Sequence, residues 1–491
     1  MLRSRCGNVI LFACMLSLIA GCSRNAPPDS ALLAGKARIY PDYTGIIIPV
    51  NIAPLNFKVL EPADNYMVHM HTPKGEGFWV RSGNGKISIP AGKWKSLLQE
   101  CRESQLYVDI YLCKDGQWLQ HESIVNQVVS DSIDSHLVYR LIEPGFETWN
   151  KMGIYQRDLE CFHESPVVLN EMSDGNCVNC HSFAAHSQEN MMFHSRGQHA
   201  GTVIVRNGEI KKVNTRTDST LSAGVYPSWH PNGRYIAFSV NSIVQSFHAL
   251  PDKRIEVIDT LSDLILYDAE KDCVMETSSL SQAGRYETFP SWSPDGRFLY
   301  FCSAPFRNYR DYTQIRYDLL RVSFDAATES FGKIDTVITA ERLGYSISFP
   351  RVSPDGKYLL FCRTAYGSFT IWHDDADLEV LDLESGQIRS AGINSQKTES
   401  YHTWSSSGRW VVFSSRREDG LYTRLYFSYF DKTGNFHKPF MLPQKDPGYN
   451  AALLKSYNVP ELITARIELD PRKLAPVIRS EASKITFKKI D

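Results

Sequence analysis

Four segments in the second half of this chain repeat one pattern: YPSWHPNGRYIAFS at 226–239, FPSWSPDGRFLYFC at 289–302, FPRVSPDGKYLLFC at 349–362 and YHTWSSSGRWVVFS at 401–414. Each reads as a strand, a tight turn closed by Gly, and a second strand of alternating apolar residues. The glycine supplies the positive φ that other residues reach only under strain. The anchors Trp229, Trp292, Val352 and Trp404 are 52 to 63 residues apart, a period that belongs to solenoids and propellers. A second hairpin follows each copy, as in LILYDAEKDCVME and LEVLDLESGQIRS, and two hairpins make one four-stranded blade. An antiparallel sandwich leaves the long period unexplained.

The run resembles the TolB-type, WD-like propeller repeats, whose Ser-Pro-Asp-Gly tetrapeptide stands here at 293–296 and 353–356 with variants in phase in the other copies. The resemblance implies a mainly β chain with a five- or six-bladed β-propeller over about 185–445. A degraded copy lies upstream: aligning Phe193 with Phe238, an offset of 45, makes His186–His194 a first hairpin and GTVIVRNGEIKKVNT (201–215) a second. That gives five blades, with a sixth to be completed by the C-terminal strands or by the N-terminal region. Residues 38–150, with alternating runs such as LYVDIYL (106–112), read as a β-sandwich-like domain with one helix around Trp94–Glu103. The last segment, 446–491, reads as an extension packing on the propeller, with LLKSYNVPEL as a short helix or turn.

The first 22 residues are an address. Arg3 and Arg5 precede an apolar run from Val9 to Ala20 that is too short to span a bilayer. The run ends in Leu18-Ile19-Ala20-Gly21-Cys22, which resembles a bacterial lipobox and implies that Cys22 becomes a lipidated N-terminus. The competing reading is an ordinary signal peptide with a chance cysteine. By the lipoprotein sorting rule, Ser23 in place of Asp points to the outer membrane, with 23–37 as a tether. The implied partners are the membrane, through that lipid, and a periplasmic or outer-membrane protein. A formal charge of −2 and a pI near 6.7 leave no basic patch for nucleic acid.

The eleven cysteines then sort by role. Cys6 and Cys14 leave with the signal, and Cys302 and Cys362 end apolar strands as buried small hydrophobes. Cys101 and Cys113 are candidates for a disulfide that spacing alone does not prove, and Cys161 and Cys273 lack an obvious partner. Cys177 and Cys180 lie in GNCVNCHSF, which contains Cys-x-x-Cys-His, the c-type haem attachment signature. Two thiols at that spacing reach the two vinyl groups of one haem, and His181, directly after them, becomes the proximal iron ligand. The alternative readings are a dithiol redox pair, which lacks its βαβ context, a structural disulfide, and a zinc site completed upstream by Cys161 and His163. Among His163, Met172, His186, Met191, Met192, His194 and His199, the candidates for a distal iron ligand are His194 and Met192, both on the first blade's strand. A packed core side chain is the competing reading for each.

Glu287 and Glu399, each five residues before a Trp anchor, are equivalent positions in two blades. They are expected either to line a funnel shared with the haem motif or to be solvated turn residues. The stretch from VYRLIEPGFETWNKMGIYQRDL through NCVNCHSF to SYNVPEL also resembles a group of uncharacterised TolB-like lipoproteins of Bacteroidetes-type bacteria, which brings no known reaction. The function expected is that of a membrane-anchored periplasmic c-type haem protein for electron transfer or redox sensing, its propeller docking a partner. The alternatives are a haem enzyme acting on a small substrate at the propeller mouth and a cofactor-free interaction scaffold. No Gly-x-Ser-x-Gly elbow supports a propeller peptidase.

Overall fold

The computed structural model describes residues 27, 30–143, 151–249 and 255–490; Cys22 and the expected signal segment lie outside them. Turn chemistry builds the blades. In the third blade Ser293 Oγ accepts from Phe298 N at 3.0 Å, Asp295 Oδ1 accepts from Arg297 N at 3.0 Å, and Gly296 sits at φ +72°. The same arrangement recurs at Ser353, Asp355 and Gly356. Each turn fixes the register of the hairpin that follows it.

Six blades result, each a four-stranded antiparallel sheet. Blade 1 is Val178–Phe183, Asn190–Ser195, Gly201–Arg206 and Glu209–Asn214. Blades 2 to 5 begin with the inner strands Val225–Trp229, Arg285–Trp292, Ser346–Val352 and Glu399–Trp404. Blade 6 joins distant parts of the chain. Its inner strand is Ser456–Ile463, antiparallel to His136–Ile142, with Gly153–Asp158 and Glu164–Leu169 outside. The pairing closes the ring and leaves no inner edge unpaired.

Several expectations shift. SYNVPEL is this inner strand, not a helix or turn; its repeat signature is weak because its hairpin partner lies more than 300 residues upstream. The same pairing takes 136–142 out of the N-terminal unit and into the propeller. Blade 1 begins at Val178, so the cysteine motif runs into its innermost strand. The expected offset of 45 holds for the second strand, where Met192 and Ala237 are equivalent, but is 46 on the inner strand, where Ser182 matches Ser228.

The N-terminal unit is a seven-stranded sheet beside a three-stranded one, with a helix at Ala91–Glu100. That helix buries Trp94, Leu97 and Leu98, and Trp94 Nε1 donates to Ile52 O at 3.0 Å. One apolar cluster runs from this unit into blades 5 and 6, joining Trp94, Val68 and Leu112 to Trp410, Phe427 and Tyr457. The C-terminal strands Ser483–Lys484 and Thr486–Lys489 add to the outer edges of blades 1 and 2. Cys302 and Cys362 are fully buried, as expected, and Cys101 and Cys113 are free thiols. Among the described residues no helix is long and apolar enough to cross a membrane.

Candidate functional site at the propeller channel

Each inner strand carries a bulge at the same place, and its central residue has positive φ: Cys180 (55°), Tyr226 (48°), Phe289 (51°), Phe349 (50°), Tyr401 (33°) and Val459 (49°). Such values in bulky residues are held only where surrounding structure imposes them. Here the bulge turns one side chain per blade toward the central channel. Four of the six are aromatic and form a collar: ring centroids lie 4.4 Å apart for Tyr226–Phe289 and Phe289–Phe349, and 4.7 Å for Phe349–Tyr401. The collar is open at blades 6 and 1, where Val459 and Cys180 stand. The residue after each bulge is proline in four blades and histidine in two, His181 and His402.

A cavity of about 360 Å³ occupies this channel, within the range of small-ligand pockets. Cys177, Cys180 and His181 line it with the collar. Cys177, 4 % exposed, packs at the seam of blades 6 and 1 with Val138 and Ile463, whereas Cys180 is half-buried. Burial pushes the Cys177 thiol up, with Arg140 and Arg196 opposing. His181 is 1 % exposed, and burial, aided by Arg140, lowers its pKa to about 3. Its imidazole is therefore neutral at every physiological pH, the form that ligates metals. The carbonyls of Val138 and Val459 lie close, yet neither ring nitrogen makes a hydrogen bond of regular geometry. A buried imidazole whose nitrogens are so poorly satisfied carries a cost that a ligand would relieve.

The cavity walls carry Arg140, Arg196, Arg351 and Arg416 against the carboxylates of Glu143 and Glu461. Arg351 pairs with Glu461 at 2.8 Å, and the Arg416 guanidinium stacks over Trp372. Arg140 Nε is buried without a hydrogen bond. The site thus has a positive excess beside an aromatic surface. That composition, two thiols and an unsatisfied neutral imidazole suit a flat, apolar macrocycle bearing carboxylates.

Blade 2 extends over the mouth. Its strands Tyr235–Phe247 and Ile255–Asp268 run on as a ribbon whose Ile243, Gln245 and Val257 line the cavity. Buried Glu256 ties the ribbon to blade 4, accepting from Tyr366 Oη at 2.7 Å and facing His373 Nε2 at 2.9 Å.

Other expected site residues lie elsewhere. Met192 is fully buried among Trp229, Ile236 and Phe238 between blades 1 and 2. His194 is buried, its Nδ1 3.0 Å from Thr202 Oγ1. Neither lines the cavity, because on a strand paired one position outward their side chains enter the sheet packing. Glu287 and Glu399 are also fully buried and off the cavity wall, so they are neither funnel residues nor solvated turns. Glu399 pairs with Arg417 at 3.0 Å and accepts from Ser395 and Ser415, while burial raises Glu287 to about 8. The zinc alternative does not assemble: Cys161 and His163 sit in the turn between the two outer strands of blade 6, and these residues do not converge with Cys177 and Cys180. The four arginines carry no sequence signal, whereas the collar is foreshadowed by an aromatic residue before the repeated proline in three copies.

No protein-family model matches the chain, and no curated protein does. Solved structures share only a distant likeness. The Swd1 β-propeller domain from Myceliophteria thermophila is 11 % identical over 54 % of this chain and 74 % of its own, with a TM-score of 0.32. Prolyl oligopeptidase B from Galerina marginata is 8 % identical over 68 % and 42 %, with a TM-score of 0.34. A Lactobacillus plantarum protein is 11 % identical over 78 % and 98 %, with a TM-score of 0.23. At these scores the propeller assignment rests on the chain's own strand pairing.

Proposed function

We propose that this chain is a lipid-anchored protein of the bacterial periplasm that carries one c-type haem at the mouth of its propeller. Cys177 and Cys180 are the attachment thiols and His181 the proximal ligand. The observation that carries the reading is that Cys180 takes a collar position on the channel wall, beside Cys177 and a buried imidazole that makes no hydrogen bond of regular geometry. Bound there, the haem supplies one-electron chemistry and an iron able to take a small ligand. The chain's own residues supply the rest. Tyr226 and Tyr401 offer faces on either side of Cys180, the arginines offer partners for propionates, and the blade 2 ribbon limits access of water.

Electron transfer or redox sensing, with the propeller as docking platform, is the function assigned. A specific observation favours sensing or small-ligand chemistry over a simple carrier: His194 and Met192, the candidate distal ligands, are packed away from the cavity, and His402, the other imidazole on its wall, has its Nε2 committed to Leu360 O at 3.0 Å. A filled sixth position marks most electron carriers, and an open one marks ligand binders. Purified haem-loaded protein should therefore bind carbon monoxide when reduced, with a shifted Soret band. A low-spin spectrum unchanged by carbon monoxide or cyanide would return the assignment to electron transfer.

A further inference from the structure

We propose that His69, His71 and Asp109 form a binding site for one divalent cation of the zinc class on the outer face of the N-terminal sheet. The site is separate from the channel and independent of the haem reading.

Strand alternation puts the three side chains together. Asn65–His71 pairs with Ser104–Lys114 so that His69 faces Asp109 and His71 faces Tyr107. On the opposite face of the same strands, Val68, Met70, Ile110 and Leu112 enter the core. The donor atoms of the two histidines and the carboxylate lie within 4.8 Å of one another, and all three residues are half-buried. It is the one such cluster among the described residues.

The hydrogen bonding of His71 calls for a cation. Its Nδ1 lies 2.7 Å from the carbonyl oxygen of Thr72, an atom that can only accept. The ring proton is therefore on Nδ1, and the lone pair of Nε2 points at Asp109 Oδ2, 3.0 Å away. Two acceptors facing at that distance need a positive charge between them, either an added proton or a metal. A backbone carbonyl holding the far nitrogen, with the near one presented to a carboxylate, is the outer-shell arrangement that orients metal-bound histidines. Asp109 is oriented in the same way, because its Oδ1 accepts from the Ser123 hydroxyl. The His69 ring is held by stacking, 4.3 Å from Trp79 and 4.5 Å from His71. Metal–ligand bonds of about 2.0–2.2 Å put neighbouring ligands of a tetrahedral ion about 3.3–3.6 Å apart, between the 3.0 Å of the His71–Asp109 pair and the 4.8 Å that bounds the cluster. Two imidazoles and one carboxylate select a borderline ion over calcium or magnesium and leave a position for water.

The test uses the full mature chain bearing Cys177→Ser and Cys180→Ser, so that neither haem iron nor those thiols contribute. Equilibrium dialysis against Zn2+ with elemental analysis should find one zinc per chain. His69→Ala with His71→Ala should weaken binding by at least tenfold with an unchanged far-UV spectrum, and Ser123→Ala should weaken it roughly tenfold to hundredfold. Co2+ should give the visible absorption of a low-coordinate site that the double variant lacks. Equal zinc uptake by the parent and the double-histidine variant, or no uptake at micromolar zinc, would overturn the site and leave His71 as a hydrogen-bond partner of Asp109 alone.

Discussion

The bulge residue of each inner strand shapes the channel, and its chemistry changes from blade to blade. Tyr226, Phe289, Phe349 and Tyr401 close most of the collar, and Cys180 interrupts it. The repeat was legible from Trp, Pro and Gly, but the sense in which the bulge points was not, because a one-residue bulge reverses side-chain direction without changing the local pattern. For that reason a uniform offset of 45 sets His181, rather than Cys180, opposite Tyr226. Turn glycines are a direct check on this geometry. Gly296 has φ +72°, and a β-carbon there would stand 2.3 Å from His230 Nε2. Gly296→Ala should cost about 1–3 kcal/mol, read as a lower urea midpoint at unchanged slope; an unchanged midpoint would mean that the turn is not as described. The buried histidines make a second prediction. His194 and His402 are both held near pKa 3, chiefly by burial. Unfolded histidines titrate near 6.5, so between about pH 6.5 and 3 the unfolded chain binds the extra protons and stability falls as the pH falls. Each contributes a slope of up to about 1.4 kcal/mol per pH unit in that window. His402→Gln should flatten the decline in urea midpoint between pH 7 and 5, whereas an identical pH profile would show that His402 is accessible to protons when folded.

Among the elements, the inner strands decide what the channel can hold. Four were recognisable because each is followed at once by its hairpin partner. The strand Ser456–Ile463 was not, since its partner His136–Ile142 comes from the other end of the chain. Replacing Val459-Pro460 within it by Asp-Gly should open the ring and expose the edge of 136–142, giving aggregation on mild warming; a monomeric variant of parental stability would contradict the closure. The ribbon of blade 2 is the second element with a specific role. Glu256 is buried against Tyr366 and His373, so Glu256→Ala leaves that network without its acceptor, at a cost of roughly 1–3 kcal/mol. The loosened ribbon should admit carbon monoxide faster to haem-loaded protein, and an unchanged association rate would exclude the ribbon from gating.

For the whole molecule, the N-terminal sheets and blades 5 and 6 share one apolar core. The propeller and the N-terminal unit should therefore unfold together. Alternating strands made the N-terminal unit legible as β structure, but its fusion to the propeller was not, since a shared core leaves no sequence marker. The Cys-x-x-Cys-His motif is contiguous and therefore legible in the sequence, whereas the arginines around it come from four blades, Arg140 and Arg351 on strands of blades 6 and 4 and Arg196 and Arg416 just after the second strands of blades 1 and 5. Cys22→Ser should move the protein from the membrane to the soluble fraction, because no helix among the described residues is long and apolar enough to cross a membrane; retention in the membrane would contradict lipidation. The central claim is the covalent haem. Protein exported in a host with haem-attachment machinery should show a Soret band and keep its haem stain on a denaturing gel, and Cys177→Ala with Cys180→Ala should abolish both. Full-length, exported and folded wild-type protein without porphyrin would contradict the claim.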